Sequence, residues 1–274
     1  MSSTSTVTGI ISLRLKKDLT ENNYVKAGRE TASAFFFRRM YIMAFTVKTL
    51  EFLDENYVRN DREWFKQNKQ RYEREVIAPF VQLLEKLAPV IEKTDSELIC
   101  SPKCIARLYR DARRVKGGAI FRDSLWCSVK KKKASAYDCV AEFYFYVSTR
   151  GFGYGCGYYI TPTAVMEQLR KAAIDGDKLF KAAKRAYEKQ DRFYLSGEMY
   201  KKNHFPDQKP DILDWINRRS ICLCYDSQDP SELFDENLFD RVAQDFEAIS
   251  PAYKFFSEME KRARGESRKP HNIK

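Results

Sequence analysis

Hydrophobic positions recur with a helical period from residue 46 onwards. Thr46 can cap a helix, and apolar residues follow it at helical spacing: Val47, Leu50, Leu53 and Tyr57. A second helix start at Asn60-Asp61 leads into an apolar face that continues to about Lys93, with a restart or kink at Pro79. The pattern predicts a helical hairpin or three helices over residues 43–93.

The middle of the chain changes to a period of two. Ser124–Lys130 and Val140–Thr149 are typical of strands, and a polar turn separates them. The alternating glycines of Gly151–Gly155 lack the strand-to-helix context and the lysine of a phosphate-binding loop, so we predict a hairpin turn or bulge there. Tyr158–Ile160 resumes an extended run. Together these segments predict an antiparallel meander.

Helical spacing returns after the meander. We predict a helix that Thr161 caps with Pro162 as its first residue, and a second helix over about Lys178–Lys189. Further elements follow: a short extended piece at 193–195, a helix at 211–219, a strand at 220–225, and two closing helices near 235–249 and 251–262. The predicted fold class is α+β, with a central antiparallel β meander flanked by N-terminal and C-terminal helices.

The chain has 274 residues, 43% of them hydrophobic, which suffices for one large core. We predict a poorly ordered extension over 1–42, which lacks a sustained period, a single α+β domain over 43–263, and a basic disordered tail over 264–274. No apolar run approaches the roughly 20 residues that span a bilayer, and no secretory signal is visible. The expectation is a cytoplasmic protein without a membrane partner.

Cysteine usage supports a reducing compartment. The seven cysteines are irregularly spaced and form no Cys-x-x-Cys, and only two histidines, His204 and His271, could add imidazole ligands. We therefore expect buried free thiols, no metal and no cofactor. Cys222 and Cys224 would share one face of a strand, where core packing is favoured over metal binding.

Basic residues concentrate in one internal band. The formal net charge is +11, and residues 103–133 alone carry +9, from eleven Lys/Arg and two Asp. Such a band favours an anionic partner, although a solvated face paired with acidic surface is the commoner meaning of a charge run.

The band contains the most unusual local motif, residues 107–114. On a helix, one face would carry Arg107, Arg110, Asp111 and Arg114; on a strand, one face would carry Arg107, Tyr109, Asp111 and Arg113. Both geometries place guanidinium groups beside one carboxylate, and the guanidinium fork matches carboxylate or phosphate oxygens. The structural alternative is an arginine–aspartate lattice that ties the sheet to the N-terminal helices.

Other candidates are weaker. Asn60, Asp61 and Glu63 could supply acid/base groups, but a helix cap explains Asn60 or Asp61 more simply. His204 has no accompanying nucleophile motif and is interpreted as a loop histidine. Lys130–Lys133 is interpreted as a solvated hairpin tip.

The chain resembles the family called domain of unknown function 2461. That family has an Arg-x-x-Arg-Asp-x-Arg-Phe pattern, which is met here by Arg107, Arg110, Asp111 and Arg113. The stretch 60–72 and the later Ser-Gly-Glu at 196–198 are also similar, and the likeness covers about residues 43–258. The family has no assigned reaction, so the resemblance implies almost nothing about activity.

The chain departs from the family pattern directly after the motif. Arg114 stands where the family has Phe, Gly117-Gly118 where it has an Asp/Asn-Lys pair, and Phe121 where it has Tyr. A reaction that depended on that pair would be impaired or altered here.

Three hypotheses remain open from the sequence. In the first, Arg107, Arg110 and Arg113 hold phosphate or carboxylate while Asp111 orients them; a phosphoryl-handling or other hydrolytic enzyme is one version. In the second, a non-catalytic module binds nucleic acid through the basic band, with stacking from the aromatic strand Phe143–Tyr146. In the third, the chain is an interaction scaffold whose arginines are purely structural.

Overall fold

A computed structural model describes residues 44–111, 119–132 and 139–265 of the chain. The predicted N-terminal extension lies outside the described residues, as does the tail from residue 266 onwards. None of the helices within these ranges is long and apolar enough to cross a membrane.

The N-terminal part is helical, as its period predicts. It comprises α1 (Val47–Arg59), α2 (Arg62–Gln67), α3 (Lys69–Tyr72), a π-helical turn (Glu73–Ile77) and α4 (Ala78–Thr94). The apolar stripe of α4 is fully buried, because Phe80, Leu83 and Leu87 recur on one side of the helix.

The strands form one antiparallel sheet. They are β1 (Ser124–Val129), β2 (Glu142–Ser148), β3 (Gly151–Gly157), β4 (Tyr194–Ser196) and β5 (Cys222–Ser227), in the spatial order β1-β2-β3-β5-β4. The first three strands make the predicted meander, and β5 joins β3 after an excursion through helices. The α+β fold class is confirmed.

One strand prediction is wrong. The glycine-rich run does not form a turn or bulge; it is β3 itself, in regular register with β2 and β5. The hairpin turn falls instead at Thr149-Arg150, directly before β3. The physical reason is that side chains from the two neighbouring strands occupy the space above the glycines.

The C-terminal part contains α5 (Thr163–Ile174), α6 (Lys178–Glu188), α7 (Pro210–Ile216), α8 (Pro230–Leu233) and α9 (Leu238–Ala263). Thr161 does not cap α5; its hydroxyl oxygen accepts a hydrogen bond from the Ile221 amide at 3.0 Å, and Pro162 occupies the N-cap position. The two predicted closing helices are one helix, with Pro251 inside it. Buried residues flank Pro251 on both sides, so one continuous apolar face holds α9 together across the proline.

The core lies between one face of the sheet and the helices α4 and α9. Phe45 sits at its centre, with ring centroids 5.1 Å from Phe80 and 5.5 Å from Phe145. The alternate side chains of β2 therefore point away from the core. We call this second, partly buried side of the sheet the polar face; it carries Trp126, Tyr144, Tyr146, Cys224 and Asp226.

Candidate site on the polar face of the sheet

The arginine motif is extended. The segment 105–110 runs antiparallel to β1 and to the chain that leads into it: Ile105 pairs with Cys127 of β1, and Tyr109 pairs with Phe121 before the strand. The Arg110 amide donates to the Ile120 carbonyl at 2.8 Å. Arg107 and Arg110 thus lie on an irregular outer strand at the β1 edge of the sheet, while the predicted Arg113 lies outside the described residues.

A third arginine, which the motif does not contain, joins this strand from the other side. Arg122 donates from Nη1 to the Arg107 carbonyl at 2.8 Å and also to the Tyr109 carbonyl. Its guanidinium carbon lies 4.9 Å from the ring centroid of Trp126 on the polar face. Arg122 therefore connects the outer strand to the polar face.

Arg110 lies close to Arg122. Burial and then the positive charge of Arg110 lower the pKa of Arg122 below its ordinary value. Arg110 is half-buried, and its Nε is buried without a hydrogen-bond partner among the described residues. Asp111 follows Arg110 directly and is also half-buried. Two guanidinium groups therefore share one region, and one of them has an unsatisfied donor.

Asn60 positions the chain opposite the arginines. It ends α1 in the left-handed conformation, with φ of 50°. Its Oδ1 accepts hydrogen bonds from the amides of Ile120 at 2.6 Å and Phe121 at 3.4 Å. Asn60 thus ties the end of α1 to the segment that pairs with Tyr109 and precedes Arg122.

The other secondary candidates have structural roles. Asp61 is the N-cap of α2 and accepts a hydrogen bond from the Trp64 amide at 2.7 Å. Glu63 lies on the surface, 3.9 Å from the ammonium group of Lys66. The structure therefore brings Asn60 to the arginine region, whereas Asp61 and Glu63 serve the helix.

The glycines of β3 shape the polar face. Trp126, Tyr146, Gly153 and Asp226 occupy one register row across four strands. A Cβ at Gly153 would lie 2.4 Å from Asp226 Oδ1 and 2.6 Å from Tyr146 Cε1, so both side chains occupy the space that the glycine leaves. The Tyr146 phenol donates to Asp226 Oδ1 at 2.7 Å, and Tyr194 donates to the other carboxylate oxygen.

The next rows repeat this arrangement. The Tyr144 hydroxyl lies over Gly155, 2.9 Å from where a Cβ would stand, and it interacts with the Cys224 thiol of β5. Ser128 donates to Glu142 at 3.2 Å, and burial raises the pKa of that carboxyl above its ordinary value. Cys222 and Cys224 share one face of β5, as their spacing predicts; Cys224 is buried on the polar face, and Cys222 is half-buried on the same face.

The nucleic-acid hypothesis loses part of its proposed surface. Phe143 and Phe145 are fully buried in the core, so only the tyrosines of this strand reach the polar face. Lys131 is not a solvated tip residue: its ammonium group lies 3.3 Å from Glu97 and 3.5 Å from Asp95. Lys133 lies outside the described residues.

The later Ser-Gly-Glu and the loop histidine have structural contacts. Glu198 forms an ion pair with Arg219 at 3.0 Å, and the Gly197 carbonyl accepts from Arg218 at 3.3 Å. His204 is exposed and packs on Tyr200, with ring centroids 4.4 Å apart. Within the described parts of the chain, no group of three or more His, Cys, Asp or Glu side chains could hold a metal ion.

The fold and this region define an α+β protein whose antiparallel sheet has an apolar face toward the helices and a polar face edged by arginines. The chain belongs to the family described as conserved hypothetical protein, DUF2461, whose sequence profile matches residues 48–255. A comparison with curated proteins gives no significant match.

Proposed function

We propose that the protein binds a small anion, through a phosphate or carboxylate group, at Arg110 and Arg122 beside the polar face. The observation that carries this proposal is the buried Nε of Arg110, which has no hydrogen-bond partner among the described residues although a second guanidinium lies nearby. An unsatisfied buried donor costs about 1–3 kcal/mol, and more when it is charged. A bound oxyanion would satisfy it.

The electrostatics support the same conclusion. Two like charges at close range repel, and the burial that lowers the pKa of Arg122 strengthens the repulsion by reducing solvent screening. An anion between them would replace this repulsion by two attractions, with charge-assisted hydrogen bonds from planar guanidinium donors. Arg107 is exposed beside them and would add long-range attraction. The contribution of Arg113 stays a prediction.

The titration that tests this proposal uses inorganic phosphate, pyrophosphate and citrate as calorimetric probes. Arg110→Gln should weaken binding by roughly 10- to 100-fold, which corresponds to about 1.5–3 kcal/mol for a charge-assisted hydrogen bond. Arg62→Gln is the matched control, because Arg62 is exposed on α2 and makes no contact with Arg110 or Arg122 among the described residues. Equal affinity of the Arg110→Gln variant and the wild type for all three probes would refute the proposal.

The two rival hypotheses predict different results in the same experiment. A nucleic-acid module would bind a short oligonucleotide with a steep salt dependence, and neutralising Lys130 and Lys132 would weaken that binding. A scaffold would bind no anion, and Arg110→Gln would lower the melting temperature. Hydrolysis would be a further step, which release of phosphate from a phosphomonoester panel would detect.

A further inference from the structure

A cavity of about 440 Å³ lies at the end of the polar face, next to Arg122 in the chain. Its lining includes Asp123, Ser124, Tyr146, Ser148, Arg150 and Asp226. Carboxylates, hydroxyls, one guanidinium and one aromatic ring thus surround a space of a size that suits a small metabolite.

The two carboxylates of the cavity differ in their partners. Asp123 forms an ion pair with Arg150 at 3.1 Å. Asp226 is exposed and accepts hydrogen bonds from two neutral phenols, those of Tyr146 and Tyr194. Among the described residues, no Lys or Arg nitrogen forms an ion pair with Asp226 within 4.0 Å. Its negative charge therefore faces the cavity, and Arg150, the guanidinium that also lines the cavity, is paired with Asp123 instead.

The cavity and the guanidinium of Arg122 lie along the same face of the sheet. Arg122 lies on the ring of Trp126, Trp126 is directly opposite Tyr146 in the sheet, and Tyr146 lines the cavity. Neighbouring strands lie roughly 4.8 Å apart, so the three strand spacings from Trp126 on β1 to Asp226 on β5 amount to about 14 Å. The rings of Trp126 and Tyr146 form an aromatic floor. Arg122 lies at its positive end, and Asp226 lies at its negative end.

We propose that the ligand is amphoteric: an anionic group binds at Arg110 and Arg122, and a protonated amine of the same molecule binds in the cavity at Asp226. This inference rests on the proposed anion site and adds the second half of the ligand. The amine forms the ion pair that Arg150 forms with Asp123 instead, and the two phenols hold the Asp226 carboxylate in place for it. The chemical class is a small molecule whose acid and amine are separated by roughly 10–14 Å, the width of the aromatic floor.

The experiment compares two probes of equal chain length, an eight-carbon ω-aminoalkyl phosphate and the alkyl phosphate without the amine. The wild type should bind the amino compound about tenfold more tightly. Asp226→Asn should remove this preference and leave the affinity for the alkyl phosphate unchanged. Asp54→Asn, at an exposed aspartate on α1, is the control and should keep the preference.

The outcomes separate the two proposals. Equal affinity of the wild type for both probes would overturn the amphoteric ligand and leave the anion site standing, and so would a preference that survives Asp226→Asn. If neither phosphate binds, the anion site fails and this inference fails with it. A melting curve of each variant checks that Asp226→Asn is folded, which is expected because the Asn oxygen can still accept a phenol proton.

Discussion

Tyr146 and Asp226 touch although their strands do not pair. The Tyr146 phenol donates to Asp226 Oδ1 at 2.7 Å, across β3, which separates β2 from β5 in the sheet. Strands two positions apart are separated by roughly 9.6 Å, twice the usual spacing, so their side chains meet only where the strand between them leaves room. Gly153 provides that room and makes the polar face a connected surface.

Gly153→Ala should therefore destabilise the fold. Its new Cβ would lie 2.4 Å from Asp226 Oδ1 and 2.6 Å from the Tyr225 carbonyl, which is backbone and cannot move aside cheaply. We expect a loss of about 1–3 kcal/mol in the free energy of unfolding, as for other overpacking changes, measured by urea denaturation. Lys171→Ala is the control, because Lys171 is exposed on α5 and its side chain is not packed in the core. If Gly153→Ala left the stability unchanged, the neighbouring strands would be able to shift and accommodate the added methyl group.

Asn60 combines a backbone role and a side-chain role, and two substitutions separate them. Asn60→Gly keeps the left-handed backbone and loses the hydrogen bonds to Ile120 and Phe121; Asn60→Ala loses the hydrogen bonds and strains the backbone as well. We expect unfolding free energies in the order Asn, Gly, Ala, with the last step about 1 kcal/mol. Equal stability of the Gly and Ala variants would contradict the conformational argument.

The buried carboxyl of Glu260 should make the free energy of unfolding depend on pH. It is 5% exposed and accepts a hydrogen bond from the Ala141 amide; burial raises its pKa above the ordinary 4.5, although the charges of Arg264 and Lys131 act in the opposite direction. Because the folded state then holds the proton more tightly than the unfolded chain, this contribution is favourable below about pH 4.5 and decreases as pH rises through the folded-state pKa.

Glu260→Gln removes this titration and keeps an oxygen for the Ala141 amide. The stability of the variant relative to the wild type should therefore increase from pH 4 to pH 8, by about 1.4 kcal/mol for each unit by which the pKa is raised. Urea denaturation across this range measures the difference. A difference that stays constant or decreases with pH would show that the pKa of Glu260 is not raised.

The thiols should differ in reactivity. All seven cysteines are free; Cys139 is exposed, whereas burial raises the pKa of Cys127 and Cys156 and keeps them protonated. A thiol-labelling reagent should modify one thiol rapidly in the native protein and seven in denaturant, and Cys139→Ser should abolish the fast phase.

We also expect the melting temperature to be insensitive to reductant and to chelator; unfolding on chelation would contradict this expectation.

The elements that could be predicted are those whose signal is local. The alternation of β2 reports which side is buried, and β2 forms where the pattern places it. The helix α1 also forms where its period places it, but a different side is buried: Val47 and Tyr57 of the predicted stripe are exposed, whereas Phe52 is fully buried. Pro251 misled the prediction of α9, since a proline usually ends a helix but is tolerated when packing holds both halves. The glycines of β3 resemble a turn signal in the sequence. Glycine is required there because tyrosine side chains of β2 occupy the space that a Cβ would fill.

The candidate site likewise has a part that the local sequence predicts and a part that it does not. The motif at Arg107 and Arg110 is visible in the sequence, but Arg122 comes to it only through strand pairing, twelve positions after Arg110. The sole hint was its place in the basic band. Asn60 could be recognised as a cap, yet its reach to Ile120 spans 60 positions. Contacts of this kind depend on tertiary packing, which no window of neighbouring residues reports.

The long helix α9 has a kinetic consequence. It packs against α4 and against α5 and α6, and the Tyr253 hydroxyl donates to Asp95 across 158 positions at 3.0 Å. Closing so large a loop costs conformational entropy before the contact stabilises the chain. The apolar stripe of α4 should therefore stay uncovered in the folding chain until α9 packs against it, and during that time it is a surface on which chains can aggregate.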